Sequence, residues 1–244
     1  MRNIVLTLSY DGTAYHGWQY QPDLITIEQV VRESLEKILN HTVKIYAGAR
    51  TDSGVHAFGQ VINFHTEREI SLTSLKKGLN SVFPHDVRVN EAKEADSLFH
   101  ARYDAKSKVY IYIIVNASHH PPFLFRYSWQ IPYTINNSLM DETIHSIIGE
   151  HDFSSFKKKE EEYQNHMRRV LRAGVKKRGN FIYTIIEATG FLRYMVRNIV
   201  GTLVWVGTGR LTKEDFNKIL ESRDRINAGP TAPAKGLFLR RIRY

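Results

Sequence analysis

A segment punctuated by glycines, residues 48–64, contains a single acidic side chain, Asp52. Arg50 lies two residues before it, and a nearby cation keeps a carboxyl group ionised. An ionised carboxylate on a loop between strands can act as a nucleophile or as a general base. The alternative is an Asx turn, in which Asp52 only hydrogen-bonds its own backbone ahead of Gly54. Residue 52 is therefore predicted to be either a reactive carboxylate or a turn residue.

The apolar segment 191–206 is predicted to form a helix, and it carries Arg193 and Arg197 with a spacing of four residues. If this helix is buried, Arg197 needs a carboxylate partner, because an unpaired buried guanidinium costs several kcal/mol. Asp52 is an available partner. The alternative is that both arginines lie on an exposed face, which we expect for Arg193 but not for Arg197.

A third group of candidates lies where Lys106 and Lys108 lead into a strand that contains Tyr110 and Tyr112. Strand alternation places both tyrosines on one face. A tyrosine beside lysines can stack on a nucleobase while the cations hold phosphates. Two tyrosines on one strand face are equally typical of cross-strand packing. The pattern alone allows both interpretations.

The net charge of +9 over 244 residues is unevenly distributed. Residues 1–104 carry a net charge of −2, whereas residues 105–244 carry +11. A basic surface in a chain with 11% aromatic residues suits a polyanion, with RNA or single-stranded nucleic acid as the natural partner. The alternative is that the charge serves only solubility.

Composition also excludes several classes of protein. With no cysteine, disulfide scaffolds and thiolate zinc sites are excluded, and the 11 histidines form no His-Glu-x-x-His pair, so we expect no metal. The N-terminus runs directly into a strand pattern without a signal-peptide core, and no apolar run reaches transmembrane length. We therefore expect a cytoplasmic globular protein with no membrane partner.

Hydrophobic periodicity in the first half predicts the order strand, helix, strand, strand, helix, strand. The predicted strands are at 4–10, 43–48, 59–66 and 87–94, and the predicted helices follow Thr26 and start near Ser71. The Asp52 loop then lies between the second and third strands, which would project its carboxylate from a rigid frame.

The second half reads much the same way, with one additional helix, which indicates a structural duplication. Its predicted strands are at 109–115, 170–176, 181–187 and 236–243, and its predicted helices are at 139–148, 191–206 and 212–222. The predicted fold class is α+β, with two ferredoxin-like (split βαβ) halves, residues 1–104 and 105–244, forming a central mixed sheet flanked by helices. The block of opposite charges from Lys157 to Glu162 is expected to be a solvated loop.

Motifs along the whole chain resemble those of tRNA pseudouridine synthases of the TruA family. They are Tyr10-Asp11-Gly12-Thr13 with Gly17-Trp18-Gln19, Arg50-Thr51-Asp52 with Gly54-Val55-His56-Ala57, Phe99-His100-Ala101-Arg102, Tyr110 with Tyr112, Met195-Val196-Arg197-Asn198 with Val200-Gly201, and Thr231-Ala232-Pro233-Ala234 with Gly236-Leu237. The resemblance implies a cofactor-free isomerase that converts uridine to pseudouridine in the anticodon stem-loop of tRNA, at positions 38, 39 and 40. It also implies a homodimer that cradles the tRNA.

The resemblance assigns roles to individual residues. It implies that Asp52 is the essential carboxylate and nucleophile, although the sequence does not choose between attack on ribose, attack on uracil and action as a base. Tyr110 would stack on the target uracil and is suited to proton transfer, and Arg197 would pair with Asp52. Arg50 would hold the flipped nucleotide, and Leu237 would close the apolar side of the pocket.

Three further residues lie in matching motifs and are predicted to bind substrate: His56, His100 and Arg102. Ala49 stands where the family commonly has glycine, a departure that matters only if that backbone needs a positive φ. The alternative function is a non-catalytic RNA-binding or RNA-chaperone protein of ferredoxin-like fold, in which the Asp52 loop is only structural. Charge, aromatic content and fold serve both functions equally well.

Overall fold

A computed structural model describes residues 1–159 and 165–244 of the chain. The chain packs into two compact units, Met1–Lys108 with Phe238–Tyr244, and Val109–Leu237. The expected boundary between residues 104 and 105 stays a prediction. The expected loop from Lys157 to Glu162 extends outside the described residues, so its role stays a prediction too.

The first part of the chain follows the predicted order of elements. The elements are β1 (Arg2–Tyr10), α1 (Ile27–Leu39), β2 (Tyr46–Ala47), β3 (His56–Thr66), α2 (Leu72–Val82) and β4 (Val87–Ala95). β2 is shorter than predicted, because its ladder with β3 comprises only the pairs Tyr46↔Asn63 and Ala47↔Ile62. The chain leaves β2 at residue 48 and approaches β3 as an irregular loop.

The later part contains two short strands that periodicity did not predict, β6 and β7. Its elements are β5 (Ser107–Val115), β6 (Trp129–Gln130), α3 (Asn137–Ile144), β7 (Gly149–Asp152), β8 (Met167–Arg178), β9 (Phe181–Ala188), α4 (Met195–Gly207), α5 (Lys213–Ser222) and β10 (Leu237–Arg243). The chain thus has the predicted α+β class. No helix in residues 1–159 and 165–244 is both long enough and apolar enough to span a bilayer.

In the first unit, β3 lies between β1 and β10. It runs antiparallel to β1, with Leu6 opposite Ile62, and parallel to β10, with Phe238 opposite His56. β4 pairs with the other edge of β1 in antiparallel orientation. Mixed strand directions are therefore confirmed in this unit, and β3 is buried along most of its length.

In the second unit, β9 lies between β5 and β8, and β7 pairs with the outer edge of β8. β8 and β9 form the predicted hairpin, which turns between Arg178 and Phe181. Gly179 has a φ of 57° in this turn, the left-handed conformation that glycine adopts without strain. β6 pairs with β5 in parallel orientation, so this unit is mixed as well.

Local hydrogen bonds explain where the helices begin. The Thr26 hydroxyl accepts from the N–H of Gln29, and Ser71 caps α2 in the same way. Thr212 forms a capping box with Asp215 at the start of α5. The N-cap predicted at Thr26 and the predicted starts of the other two helices are confirmed.

The predicted start of the helix at residue 191 was wrong. Tyr194 has a φ of 66°, and α4 begins only at Met195. Leu192 is buried although it precedes the helix. Its apolar side chain therefore extended the helical pattern of the sequence by about one turn. Arg193 lies before the helix and is exposed, as expected, but Arg193 and Arg197 are not partners on one helix face.

Candidate active site

Asp52 lies in a tight turn between β2 and β3. The Val55 N–H donates to the Asp52 carbonyl at 3.1 Å, and Gly54 at the third turn position has a φ of 75°. A positive φ at this position favours glycine, as in a type II turn. The main chain itself closes the turn. The Asp52 side chain is half-buried in it.

The motif Tyr10–Gln19 supports this turn through its backbone. The Trp18 N–H donates to the Thr51 carbonyl at 3.0 Å. A Cβ on Gly17 would lie 2.7 Å from the Thr51 carbonyl oxygen, and a Cβ on Gly12 would overlap the Val55 carbonyl. Both glycines therefore allow a close approach of two backbones that a side chain would prevent. The turn is clamped on both sides of Asp52.

Side chains complete the support. The buried Tyr10 hydroxyl lies 2.8 Å from the Thr51 hydroxyl, and burial raises the pKa of Tyr10. The Ser53 hydroxyl and the Gly54 N–H both donate to the Tyr15 carbonyl. Each residue next to Asp52 in this turn thus has a fixed partner within the first unit.

Gln60 was not identified from the sequence, yet it orders the approach to the turn. Its side-chain NH₂ donates to the Ala49 carbonyl at 2.6 Å, and its oxygen accepts from the Ala49 N–H at 3.2 Å. A polar residue among the apolar positions of β3 was the available signal. Ala49 does not have a positive φ, so its substitution for glycine imposes no backbone strain.

His56 is only 2% exposed at the start of β3. Its Nδ1 accepts from the Gly12 N–H at 3.1 Å and lies 3.0 Å from Asp11 Oδ1, and its ring stacks on Phe238 at 4.6 Å. These contacts place the ring to hold the turn at Asp11 and Gly12. Direct contact between His56 and a substrate stays a prediction.

The segment Phe99–Arg102 is held by two buried asparagines of the first unit. Asn63 donates to the Phe99 carbonyl and accepts from the Ala101 N–H, and Asn3 donates to the same Phe99 carbonyl. Buried amides with both groups bonded specify one conformation of a loop. The loop that carries His100 and Arg102 is therefore anchored at two points.

The remaining candidates of the first unit differ in exposure. Arg50 and Arg102 are exposed, and His100 is half-buried with its ring 4.6 Å from the ring of Tyr46. Lys108 on β5 is half-buried, and this burial, reinforced by the charge of Arg102, lowers the pKa of Lys108 to about 8. Arg50 and Arg102 are thus accessible to a phosphate.

In the second unit, Tyr110 and Tyr112 are both buried, at 7% and 0% exposure. The Tyr112 hydroxyl donates to the Pro233 carbonyl at 2.7 Å, and its ring lies where a Cβ on Gly236 would be 2.6 Å away. Tyr112 is therefore part of the packing, as the alternative interpretation has it. Tyr110 meets the ring of Phe191 edge-on at 5.0 Å.

Arg197 lies in the first turns of α4 and is half-buried. Its Nε donates to the Ala232 carbonyl at 2.8 Å, and the Ala232 N–H donates to the Arg197 carbonyl at 3.1 Å. The guanidinium lies 4.7 Å from the centroid of Tyr194, a distance at which a cation is attracted to a ring face. Burial raises the pKa of Tyr112, and the nearby charge of Arg197 opposes that shift.

The motif around Arg197 owes its order to the next residue, Asn198. The buried Asn198 amide donates to the Phe156 and Lys157 carbonyls and accepts from Thr231 and Arg225. An asparagine inside an apolar helix was the signal, because a buried amide requires partners. This network ties α4 to the segment that precedes Leu237.

The candidates divide between the two compact units. The first unit carries Asp52, Arg50, His56, His100 and Arg102, and the second carries Tyr110, Arg197 and Leu237. Leu237 is buried at the start of β10. The pairing of Asp52 with Arg197 and the joint action of Asp52 and Tyr110 stay predictions.

Comparison with known proteins gives a uniform result. A family model described as tRNA pseudouridine synthase matches residues 7–104 and 144–244. The chain is 43% identical over 244 residues to tRNA pseudouridine synthase A of Thermoanaerobacter sp. (strain X514), with 100% of both chains covered. It is 41% identical to the protein of that name from Caldicellulosiruptor saccharolyticus over 244 residues, again with 100% of both chains covered. It is also 43% identical to tRNA pseudouridine synthase A 2 of Protochlamydia amoebophila, covering 100% of this chain and 95% of that protein.

Proposed function

Because this chain belongs to the tRNA pseudouridine synthase family, we propose that Asp52 is the carboxylate on which its reaction depends. The protein is an isomerase that converts uridine to pseudouridine in tRNA. This reaction breaks the bond between uracil N1 and ribose C1′ and forms a bond between uracil C5 and C1′. The hydrogen on C5 is lost as a proton and N1 gains one, so no oxidant or reductant is needed.

The observation that carries the assignment is the clamped turn around Asp52. Gly12, Gly17 and Trp18 hold the main chain of the turn that carries this half-buried carboxylate, and such preorganisation is what a reactive group requires. A uridine in a folded RNA must leave its stack to reach such a group, at a cost of a few kcal/mol that stacking and cationic contacts offset.

The carboxylate has three possible targets. Attack at C1′ forms an ester to ribose and releases uracil, whose C5 then displaces the carboxylate. Attack at uracil C6 forms a C6–O bond while the N1–C1′ bond breaks; C5 then bonds to C1′, and the C6–O bond breaks as C5 loses its proton. Abstraction of the C2′ proton instead makes Asp52 a general base and expels uracil by elimination; C5 then adds to C1′ of the resulting double bond, and C2′ regains a proton. Each route ends with removal of the C5 proton by a base.

Tyr110 and Arg197 are proposed to act with Asp52. Tyr110 would lie against the uracil and take part in proton transfer, while the charge of Arg197 would keep the carboxylate ionised. The hydrogen bond from Arg197 Nε to the Ala232 carbonyl, at 2.8 Å, supports this role because it orients the guanidinium. Leu237 would form the apolar wall of the pocket.

The proposed substrate region is the anticodon stem-loop at positions 38, 39 and 40. Arg50 and Arg102 are exposed cations close in sequence to Asp52 and His100, and they support RNA binding around the carboxylate. Arg50 would hold the flipped nucleotide, and His56, His100 and Arg102 would contact or position the RNA. A homodimer acting in the cytoplasm is proposed from the family resemblance, and sedimentation velocity at micromolar concentration tests the oligomeric state.

The decisive experiment replaces Asp52 with Asn. The variant keeps the size of the side chain and the main-chain turn, so we expect tRNA affinity within about twofold of wild type but no release of tritium from an unmodified tRNA transcript labelled at uracil C5. The matched control is Asp23→Asn, an exposed acid of the same unit with a positive φ that asparagine tolerates. Unchanged tritium release by Asp52→Asn would remove Asp52 from the mechanism. A wild-type protein that binds the tRNA without releasing tritium would favour the RNA-binding alternative.

A further inference from the structure

Two large aromatic side chains are exposed on a turn of the second unit. Phe123 is 91% exposed and Phe125 is 59% exposed. The Nζ of Lys235 lies 3.8 Å from the centroid of the Phe125 ring, and Arg126 beside it is exposed. We call Phe123, Phe125, Arg126 and Lys235 the aromatic patch.

The turn that carries the aromatic patch is closed by hydrogen bonds. The Ser128 hydroxyl donates to the Leu124 carbonyl at 2.8 Å and lies 2.8 Å from His120 Nε2. The Tyr127 N–H also donates to the Leu124 carbonyl, and Pro121 and Pro122 restrict φ before the turn. Phe123 and Phe125 are therefore presented to solvent by a rigid support.

The charge around the patch has one sign over long stretches of sequence. Neither residues 105–140 nor residues 225–244 contain an aspartate or a glutamate, and these two stretches supply every member of the patch. Aromatic rings interleaved with cations suit a polyanion whose bases expose flat faces. In contrast, lysine is depleted in the cores of protein–protein interfaces.

The patch is also connected to the proposed catalytic residues of the same unit. Lys235 lies three residues after Ala232, whose carbonyl accepts from Arg197 Nε at 2.8 Å. Three residues span at most about 11 Å. Lys235 also directly precedes Gly236, against which Tyr112 packs. An RNA loop that reaches Arg197 therefore passes close to the patch.

We propose that Phe123 and Phe125 form a stacking site for an unpaired nucleotide of the tRNA, separate from the site of the reacting uridine. One base of the loop stacks on the exposed rings, and its phosphate contacts Lys235 and Arg126. Contact with the base face does not depend on the identity of the base. This inference rests on tRNA as the substrate and not on the role of Asp52.

The test compares three variants in fluorescence anisotropy titrations with an end-labelled, unmodified tRNA transcript at fixed salt. Phe125→Ala is expected to weaken binding about tenfold or more, because loss of stacking on one base has an effect of this order. Phe125→Trp restores binding, since tryptophan offers a larger ring. The control Ile226→Ala removes another exposed apolar side chain of this unit, 75% exposed, and leaves the Kd within about twofold of wild type.

Two results would overturn the proposal. One is a Kd for Phe125→Ala that equals that of Ile226→Ala. The other is a shift of Phe125→Ala to a smaller oligomer in sedimentation velocity without RNA, which would assign the patch to contact with a second copy of the chain. Kinetics separates this site from the reactive carboxylate, because Phe125→Ala should raise KM with little change in kcat, whereas Asp52→Asn should abolish turnover with binding retained.

Discussion

Single residues near Asp52 fix the geometry of its loop, although their side chains are not reactive groups. Tyr10 and Gln60 are buried polar residues whose partners, Thr51 and Ala49, lie within three residues of the carboxylate. Burying such groups is favourable only with their hydrogen bonds made, so they define one geometry for the loop. The reactive residue is thus fixed by neighbours that touch no substrate in the proposed mechanism.

Lys108 gives a prediction about pH at this same scale. Burial first, and then the charge of Arg102, lowers the pKa of Lys108 from 10.5 to about 8. Below pH 8 both the folded and the unfolded chain carry the proton, and the folded state bears the full cost of the buried charge. Between pH 8 and 10.5 the unfolded chain binds the proton more tightly, so this cost decreases as the pH rises.

We therefore expect Lys108→Met to be more stable than wild type at pH 7, by roughly 1–3 kcal/mol, with a gain that shrinks above pH 8. Urea unfolding at pH 7 and at pH 9.5 measures the free energy of unfolding for both proteins. Lys106→Met, the exposed lysine two residues earlier, is the control and should show no such dependence on pH. If Lys108→Met gained the same stability at both pH values, the lowered pKa of Lys108 would be contradicted.

At the scale of elements, α4 packs directly on the backbone that precedes β10. A Cβ on Gly201 would overlap the Pro230 carbonyl, and the Gly229 N–H donates to the Thr202 hydroxyl at 2.9 Å. This close packing holds the first turns of α4, and with them Arg197, at a fixed distance from the segment of Ala232. The helix is positioned by this close approach of main chains together with the side-chain hydrogen bonds of Arg197, Asn198 and Thr202.

Gly201→Ala tests this packing. Alanine favours helices over glycine by up to about 1 kcal/mol, so a free helix would become more stable. Here we expect the opposite, a loss of about 1–3 kcal/mol or more, because the Pro230 backbone cannot move aside. The melting temperature of the variant should therefore fall below that of wild type. Its rate of tritium release should fall as well, since Arg197 lies one turn before Gly201.

Gly190→Ala is the matched control for this substitution. Its Cβ would meet only the Arg168 side chain, at 3.7 Å, an ordinary contact distance. Its melting temperature should stay close to that of wild type. If Gly201→Ala melted at the same temperature as the control, the close approach of α4 would not limit stability.

At the scale of the whole molecule, the charge of +11 in residues 105–244 predicts how RNA affinity responds to salt. Each phosphate that is neutralised contributes about 0.7–0.9 to the slope of log Kd against log salt concentration. With about four such contacts, raising the salt from about 50 to 200 mM should weaken tRNA binding by about 50- to 150-fold. Anisotropy titrations at several concentrations of KCl give the slope, and a flat response would remove the basic surface from the interface.

The sequence was sufficient for the class of fold and for most elements. Periodicity placed β1, α1, α2, β4 and β5 close to their observed bounds, because alternating and helical patterns record which face of an element is buried. It missed β6 and β7, because strands of two and four residues are too short to show an alternation of apolar and polar side chains. It overextended the start of α4, because buried residues of the preceding loop carry the same apolar signal as a helix.

What the sequence determined alone was local: the N-caps at Thr26, Ser71 and Thr212, and the glycine turn after Asp52, since hydrogen bonds within a few residues decide them. Only the tertiary structure decided that Gly12 and Gly17 clamp that turn. The residues that meet there lie tens of positions apart in the chain. A contact between two backbones depends on the absence of side chains at one place in space, and such an absence has no period that a sequence pattern could reveal.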